Sequence, residues 1–258
     1  MPRFSANLSM LFKEVEFLDR FERAAQFGFR GVEFLFPYEW DKEEILEPMQ
    51  KHGLELVLHN LPAGHWAAGE RGLACLPDRV TEFREGVGLA LEYATALKCT
   101  RLNCLAGIPS VTVSREQQME TLVSNVRYAG EEAQKAGIML LVEALNAEDM
   151  PGFYLSSTAQ MLELLELVDH PNLYMQYDIY HMQIMEGNLT KTIGHNVDRI
   201  GHMQLADVPG RHEPGTGEIN FDHLFKAIDE SGYQGWLGCE YNPTTTTEES
   251  LAWVKKYL

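Results

Sequence analysis

The chain has few cysteines and no long apolar run. The first shortage argues against a disulfide-rich or zinc-thiolate protein, and the second argues against a membrane protein. Its 258 residues include 4 cysteines, which form no CxxC pair. We therefore expect buried free thiols instead of disulfides or a zinc-thiolate site. No stretch approaches the ~20 apolar residues that span a bilayer, and the first residues contain no apolar segment of signal-peptide length. These absences predict a cytoplasmic protein without a membrane partner.

Basic residues are also scarce, and this excludes a further class of partner. The chain has 21 Lys and Arg against 38 Asp and Glu, so its formal net charge is −17. Nucleic-acid binding depends on cationic side chains that neutralise phosphates, whereas an acidic surface repels them. The composition therefore predicts no nucleic-acid partner.

The sequence does contain a regular alternation of short apolar runs and amphipathic helical patterns. The runs predict strands at 3–9, 31–36, 54–59, 100–105, 138–143, 173–178, 200–205 and 235–240. The helical patterns lie near 14–27, 42–52, 79–97, 115–136, 157–168, 188–197, 221–231 and 247–257. Because no Pro/Gly/Ser-rich or charged linker divides these eight units, they indicate one α/β domain over residues 1–258. At this length they predict a closed (β/α)8 TIM barrel instead of an open doubly wound sheet.

Two predicted loops, 60–78 and 206–220, are longer than the ~2–6 residues typical of α/β connections. Both follow strands, so both are expected on the rim that the carboxyl ends of the strands form. Barrel enzymes build their sites on this rim. The two loops are therefore predicted to cover a functional site.

A polar residue stands at or next to the end of four consecutive predicted strands, namely Glu143, Asp178, Gln204 and Glu240. A barrel brings all four to the same side of one rim. A lone buried carboxylate is costly, and an oxygen-only ligand set suits Mg²⁺ or Mn²⁺ better than zinc. We therefore expect one divalent cation, Mg²⁺ or Mn²⁺, at these residues. For each residue alone, the alternative is a salt bridge with a rim Arg or Lys, or a strand end in solvent.

Glu143 and Glu240 lie on the fifth and eighth predicted strands, where they could face each other across a bound substrate. A cation that chelates adjacent oxygens of an α-hydroxycarbonyl compound acidifies the C–H between them by stabilising the enediolate. A glutamate on either side can then remove or return a proton. The pair predicts a 1,2-proton shift, which means isomerisation or epimerisation.

Five further residues near the rim are candidates for substrate binding. His181 follows Asp178 in the run DIYH and is predicted either to bind a substrate oxygen or to cap the helix that starts there. Arg211 could hold a carboxylate in a bidentate pair, or could be a surface residue of its loop. His59, Glu70 and Asn7 could line the pocket.

Several long motifs resemble the hydroxypyruvate isomerase family, within the xylose isomerase-like TIM barrels. They are RFSANLSMLF, LHNLPAGHWAAGERG, QYDIYHMQIMEGNLT, PGRHEPGTGEIN and GCEYNP, and the similarity runs the full length of the chain. The resemblance implies that Glu143 and Glu240 are the paired acid/base residues. It also implies that both of them, with Asp178 and Gln204, are the metal ligands.

The same resemblance bears on the substrate. Sugar 3-epimerases of the superfamily usually carry His where Gln204 stands, so Gln204 favours the hydroxypyruvate isomerase branch. His65 departs from the pattern, because close relatives tend to carry Asp there, and this puts the fine substrate preference in question. The implied activity interconverts hydroxypyruvate and 2-hydroxy-3-oxopropanoate (tartronate semialdehyde) through a metal-stabilised enediol.

Other functions stay open at this point. A four-carbon 2-oxo acid (2-oxo-tetronate) isomerase and a ketose 3-epimerase are the enzymatic alternatives, and the loop at 60–78 is expected to decide between three and four carbons. The superfamily also contains metal-dependent abasic-site endonucleases, which need a basic groove and a His-rich zinc set. A barrel that only binds sugar acids is the non-enzymatic alternative. The expected partner is a small-molecule 2-oxo acid or sugar acid, and a homo-oligomer is compatible with the sequence.

Overall fold

Parallel strands close into a barrel in the order of the sequence, as the alternation of the chain predicts. They are β1 (Arg3–Asn7), β2 (Gly31–Glu33), β3 (Glu55–Asn60), β4 (Arg101–Cys104), β5 (Met139–Glu143), β6 (Leu173–Asp178), β7 (Ile200–Leu205) and β8 (Trp236–Cys239). Each strand pairs with its neighbours in the sequence, and β8 pairs with β1, so the sheet has no free edge. The computed structural model describes residues 2–258.

Helices surround the barrel and follow most of the predicted boundaries. They are α1 (Arg20–Phe27), α2 (Lys42–His52), α3 (Val80–Leu97), α4 (Arg115–Lys135), α5 (Thr158–Val168), α6 (Ile179–Met185), α7 (Leu189–Asn196), α8 (Phe221–Glu230) and α9 (Thr247–Ser250). Two predicted helices are shorter than expected, since α1 begins only at Arg20 and α9 is a single turn. The short helix α6 starts directly after Asp178 and has no separate counterpart among the predicted helices.

Two apolar layers hold the fold together. The larger layer lies between the strands and the helices and contains most of the buried apolar residues. A smaller cluster of Val57, Leu58, Leu141 and Trp236 brings together β3, β5 and β8. Because these strands are not neighbours in the sheet, this cluster must fill the interior of the barrel. The four cysteines are buried and free, as predicted.

Side chains inside the barrel change from apolar to polar along the strands. Residues two apart point to the same face of a strand, so Trp236 and Glu240 of the β8 segment share the interior face with Met139 and Glu143 of β5. The apolar residues stand at the amino ends of these strands and the glutamates at the carboxyl ends. The carboxyl-end rim is therefore the polar end of the barrel. Among residues 2–258, no helix has the length and apolarity required to cross a bilayer.

A glycine at the start of β2 leaves room for the aromatic ring that fills the amino end of the barrel. A Cβ added at Gly31 would lie 2.8 Å from Trp236 Cζ3 and 2.9 Å from Val57 Cγ2. Gly31→Ala should therefore overpack the interior and lower the free energy of unfolding by about 1–3 kcal/mol. The measurement is the urea midpoint at unchanged slope.

Gly88→Ala is the matched control for this substitution. Gly88 lies within α3, is exposed, and has no atom within 4 Å of an added Cβ. Alanine there should stabilise the protein by roughly 0.5–1 kcal/mol, because glycine is a poor helix former. A Gly31→Ala protein as stable as Gly88→Ala would show that the barrel interior is not close-packed at Gly31.

Candidate active site

The four strand-end residues all lie buried at the carboxyl ends of β5 to β8. Glu143 and Asp178 close β5 and β6, Gln204 is the second-last residue of β7, and Glu240 follows β8 directly. Their exposed fractions are 4%, 1%, 1% and 5% in that order. Asp178 and Gln204 stand opposite each other in the β6–β7 register. The rim therefore carries three buried carboxylates and an amide.

The two carboxylate oxygens of Asp178 have different partners. Oδ1 accepts a hydrogen bond from Tyr180 N at 2.8 Å, which makes Asp178 the N-cap of α6. Oδ2 lies 3.3 Å from Arg211 Nη2 and 3.5 Å from His181 Nε2. The cap fixes the side chain, so that Oδ2 faces the centre of the rim.

His181 is buried and held in one tautomer. The backbone N–H of Asn146 donates to His181 Nδ1 at 3.1 Å, so Nδ1 carries no proton and Nε2–H points toward Asp178. Burial lowers the pKa of His181 to about 4. A neutral Nε2–H can donate to an oxygen but cannot ligate a metal. The alternative that His181 caps α6 is wrong, because Asp178 occupies that position.

Arg211 reaches from the β7–α8 loop into the centre of the rim. Its Nη2 donates to Glu240 Oε2 at 2.7 Å and to Asp178 Oδ2 at 3.3 Å, and its guanidinium lies 5.1 Å from the ring centre of Tyr180. The side chain is 15% exposed. Arg211 is therefore not a surface residue, and its Nε has no partner among residues 2–258.

Asp207 organises the loop that carries Arg211, and the sequence analysis did not identify it. Its carboxylate is fully buried and accepts the backbone N–H groups of Val208, Gly215, Gly217 and Ile219 at 2.9 to 3.0 Å. These four bonds draw both ends of the loop onto one side chain. An Asp directly after a strand and before a Gly-rich loop is the signal that could have indicated it.

Glu143 is held by a neighbour on β4 that also escaped the sequence analysis. Asn103 Nδ2 donates to Glu143 Oε2 at 2.8 Å, and Asn103 is fully buried. Its Oδ1 has no partner among the described residues, which leaves an acceptor available at the rim. The polar residue inside the apolar run TRLNCL was the available signal.

The rim carries more negative than positive charge. Burial raises the pKa of Glu143 well above its ordinary value, and the charges of Glu240 and Asp178 raise it further. Burial also raises the pKa of Glu240 to about 8, although Arg211 opposes this shift. Three carboxylates share a single guanidinium, so the site has the donor chemistry to hold a hard divalent cation. One carboxylate oxygen each from Glu143 and Asp178 and a ring nitrogen of His181 lie within 4.8 Å of one another.

Gln204 connects the other strand-end residues to a buried carboxylate on β2, that of Glu33. Its Nε2 donates to Glu33 Oε1 at 2.8 Å, and its Oε1 accepts from Gln176 Nε2 at 2.6 Å. Burial alone would raise the pKa of Glu33, but His202 and the hydrogen bonds from its neighbours outweigh burial and lower it. The amide oxygen of Gln204 keeps a second lone pair for a ligand.

The three other candidates have different surroundings. Asn7 belongs to the rim, because its Nδ2 donates to Glu240 Oε1 at 3.2 Å. His59 does not, because its ring packs against Phe34, which contacts Phe21 of α1 in the helical layer. Burial lowers the pKa of His59 to about 4.

Glu70 is also outside the rim group. Its carboxylate accepts from Arg79 Nη1 at 2.7 Å and from the backbone N–H of His65 at 2.5 Å. These contacts tie the β3–α3 loop to the start of α3. Glu70 thus has structural partners in place of contacts to the rim carboxylates, whereas the Nε2 of His59 has no hydrogen-bond partner among the described residues.

Known proteins resemble this chain along its whole length. The family model described as xylose isomerase-like TIM barrel matches residues 21–257. Hydroxypyruvate isomerase from Escherichia coli (strain K12) is 57% identical over 257 residues, which cover 100% of both chains. A 2-oxo-tetronate isomerase from Pectobacterium atrosepticum is 46% identical and covers 100% of this chain and 98% of its own.

A solved structure also superimposes closely. The crystal structure of an AP endonuclease, family 2, from Brucella melitensis has a TM-score of 0.97 and 47% sequence identity. The match covers 100% of this chain and 99% of that one.

The role of Asp207 can be tested by removing its charge. Asp207→Asn keeps the size of the side chain but leaves one oxygen to accept bonds that two oxygens now accept. Bonds to a charged acceptor contribute roughly 1.5–3 kcal/mol each, so loop 208–219 should open more often. Hydrogen–deuterium exchange of that loop should accelerate, while exchange in the barrel strands stays slow.

Glu218→Gln is the control in the same loop. Glu218 is exposed and its side chain accepts only from Gln183, at 3.0 Å, among the contacts described. Glu218→Gln removes the same charge, but this side chain accepts no hydrogen bond from the loop backbone. Equal exchange in the two variants would contradict the organising role of Asp207.

Proposed function

Because the chain belongs to the hydroxypyruvate isomerase family, within the xylose isomerase-like TIM barrels, we propose that its rim residues catalyse an isomerisation. The protein interconverts hydroxypyruvate and tartronate semialdehyde in a divalent-cation-dependent isomerisation. The observation that carries the proposal is the burial of Glu143, Asp178 and Glu240 at one rim, where Arg211 pairs with Asp178 and Glu240. The 57% identity to a hydroxypyruvate isomerase supports the same substrate.

We assign one Mg²⁺ or Mn²⁺ to Glu143, Asp178, Gln204 and Glu240. Such an ion, when bound, supplies Lewis-acid polarisation of the substrate oxygens, which lowers the pKa of the C–H between them. The oxygen-only donor set and the excess of buried negative charge support this assignment. His181 is assigned to the substrate instead, because its Nε2 carries a proton.

The proton transfer falls to the two glutamates. One carboxylate removes a proton from C3 of hydroxypyruvate, and the electron pair of that C–H bond forms the carbon–carbon double bond of the enediol. The other glutamate delivers a proton to C2, and the hydroxyl proton on O3 is lost as O2 gains one. Atoms and charge balance, so no redox partner is required. Asn103 and Asn7 hold Glu143 and Glu240 in place for these transfers.

Arg211 and His181 bind the polar groups of the substrate in this proposal. The unpartnered Nε of Arg211 is available to a substrate carboxylate, and a guanidinium pairs with a carboxylate through two parallel bonds. The Nε2–H of His181 donates to a substrate oxygen. Arg211 is the only guanidinium that contacts Asp178 or Glu240 among the described residues, so its loop determines where the anion binds.

A four-carbon 2-oxo acid is the second candidate substrate, and the 46% identity to a 2-oxo-tetronate isomerase favours it. The abasic-site endonuclease alternative is weaker. The net charge of −17 opposes DNA binding, and the acidic and His residues that group together within 2–258 include a single His. The similarity to the AP endonuclease from Brucella melitensis therefore supports the fold more than that reaction.

An assay on several substrates, with and without metal, tests the proposal. We expect the highest kcat/KM on hydroxypyruvate, lower values on 2-oxo-tetronate, and none on a ketose. Chelation should abolish turnover, and Mg²⁺ or Mn²⁺ should restore it. Full activity after chelation would contradict the cation, whereas a higher kcat/KM on 2-oxo-tetronate would reassign the substrate.

Replacing either glutamate tests the proton transfer. Glu143→Gln and Glu240→Gln each keep an oxygen but remove the base, so kcat should fall by roughly 10²–10⁴-fold. Glu148→Gln, an exposed position in the β5–α5 loop, is the control and should keep wild-type kcat. Wild-type enzyme should also lose deuterium from C3-labelled hydroxypyruvate to solvent. Retention of the label at C2 would indicate a hydride shift in place of proton transfer.

A further inference from the structure

A fully buried carboxylate on β2 contacts residues of the rim and belongs to none of the roles assigned above. Glu33 closes β2, and its exposed fraction is 0%. Its Oε2 accepts from Ser5 Oγ at 2.8 Å and lies 2.9 Å from His202 Nε2. Its Oε1 accepts from Gln204 Nε2 at 2.8 Å and from Asn7 Nδ2 at 3.2 Å. Donors from β1 and β7 thus converge on a single side chain.

The bond to Glu33 determines which end of the Gln204 amide is the nitrogen. A flipped amide would place its oxygen against the carboxylate, and two acceptors repel each other. Only the orientation with Nε2 on Glu33 gives the carboxylate a donor, and in that orientation Oε1 accepts from Gln176. The oxygen of Gln204, the atom that can ligate a cation, is therefore held away from Glu33.

A second arm runs from Glu33 to Glu240. The Nδ2 group of Asn7 donates to Glu33 Oε1 and to Glu240 Oε1, at 3.2 Å in each case. The Oδ1 of Asn7 accepts from the backbone N–H of Ser9 at 3.0 Å, which fixes its amide as well. Glu33 thus contacts Gln204 directly and Glu240 through one intervening side chain.

Gly238 makes space for this arrangement. A Cβ added at Gly238 would lie 2.2 Å from Glu33 Oε1 and 2.4 Å from Oε2. Its backbone has no positive φ, so the crowding against Glu33 is the reason why a side chain is excluded there. The Glu33 carboxylate therefore occupies the space that a side chain at position 238 would need.

We propose that Glu33 is a positioning residue for the candidate metal site, which it serves by fixing the amide of Gln204 and, through Asn7, the carboxylate of Glu240. The inference rests on the proposed function, since it presumes a divalent cation at the rim. In this role Glu33 orients the ligands and itself contacts neither cation nor substrate. Partners that orient metal ligands typically change metal affinity by about 10–100-fold when they are removed.

Direct Mn²⁺ binding to the purified protein tests the proposal without recourse to turnover. Glu33→Met keeps the length of the side chain but removes every acceptor, so the Gln204 amide becomes free to rotate. The Mn²⁺ dissociation constant, measured by electron paramagnetic resonance of the free ion, should rise by roughly 10–100-fold. The increase in melting temperature that Mn²⁺ produces should shrink accordingly.

Ser5→Ala is the matched control in the same network. It removes one donor to Glu33 but leaves the bonds to Gln204 and Asn7 intact. It should lower stability while the Mn²⁺ dissociation constant stays within about twofold of wild type. Equal Mn²⁺ affinity in wild type, Ser5→Ala and Glu33→Met would overturn the proposal and leave Glu33 a purely structural residue. A wild-type protein that binds no Mn²⁺ would overturn the proposed function as well.

If Glu33→Met does not fold, a second pair of variants tests the positioning role of Glu33. Gly238→Ala displaces Glu33 without changing its chemistry, and Mn²⁺ affinity should fall. Gly201→Ala overpacks the barrel interior elsewhere, because its Cβ would lie 2.5 Å from Met139 Sδ and 2.6 Å from Leu141 Cδ2. It should cost stability but leave Mn²⁺ affinity unchanged. The same Mn²⁺ affinity in both glycine variants would overturn the proposal.

Discussion

The burial of three carboxylates at one rim is the constraint to which the rest of the structure responds. A closed barrel brings Glu143, Asp178 and Glu240 together because each stands at the carboxyl end of its strand segment. In a medium of low dielectric constant, such a group requires donors and a cation. Asn103 donates a hydrogen bond to Glu143, and the guanidinium of Arg211 places a positive charge beside Glu240.

The conformation of the β7–α8 loop brings Arg211 to that cluster. Asp207 gathers four backbone N–H groups of the loop, and the backbone N–H of Asn242 donates to the Arg211 carbonyl at 2.8 Å. Arg211 itself has a positive φ of 57°. The loop is thus fixed by polar bonds at both sides of the arginine, which is how a surface segment can place a guanidinium in a buried site.

The proposed substrate is an anion, and the protein itself is strongly acidic. With a net charge of −17, most of the surface repels a 2-oxo acid. Binding therefore depends on local positive charge, which in our proposal comes from Arg211 and the divalent cation together. In that proposal Asp178 and Glu240 hold Arg211, and the rim carboxylates would hold the divalent cation, so acidity at the rim would be the condition for binding an anion there.

Local patterns in the sequence were enough to predict the strands and the polar residues at their carboxyl ends, whereas the contacts of those residues depend on the tertiary fold. Buried parallel strands are nearly continuous apolar runs, so strand ends, and with them Glu143, Asp178 and Glu240, could be located from local pattern. Glu33 could not be understood in this way, because its donors come from β1 and β7, which are remote in the sequence. His59 was misplaced for a related reason. Val32 pairs with Leu56 but Glu33 pairs with Leu58, and this extra residue in β3 changes which side chains face the interior.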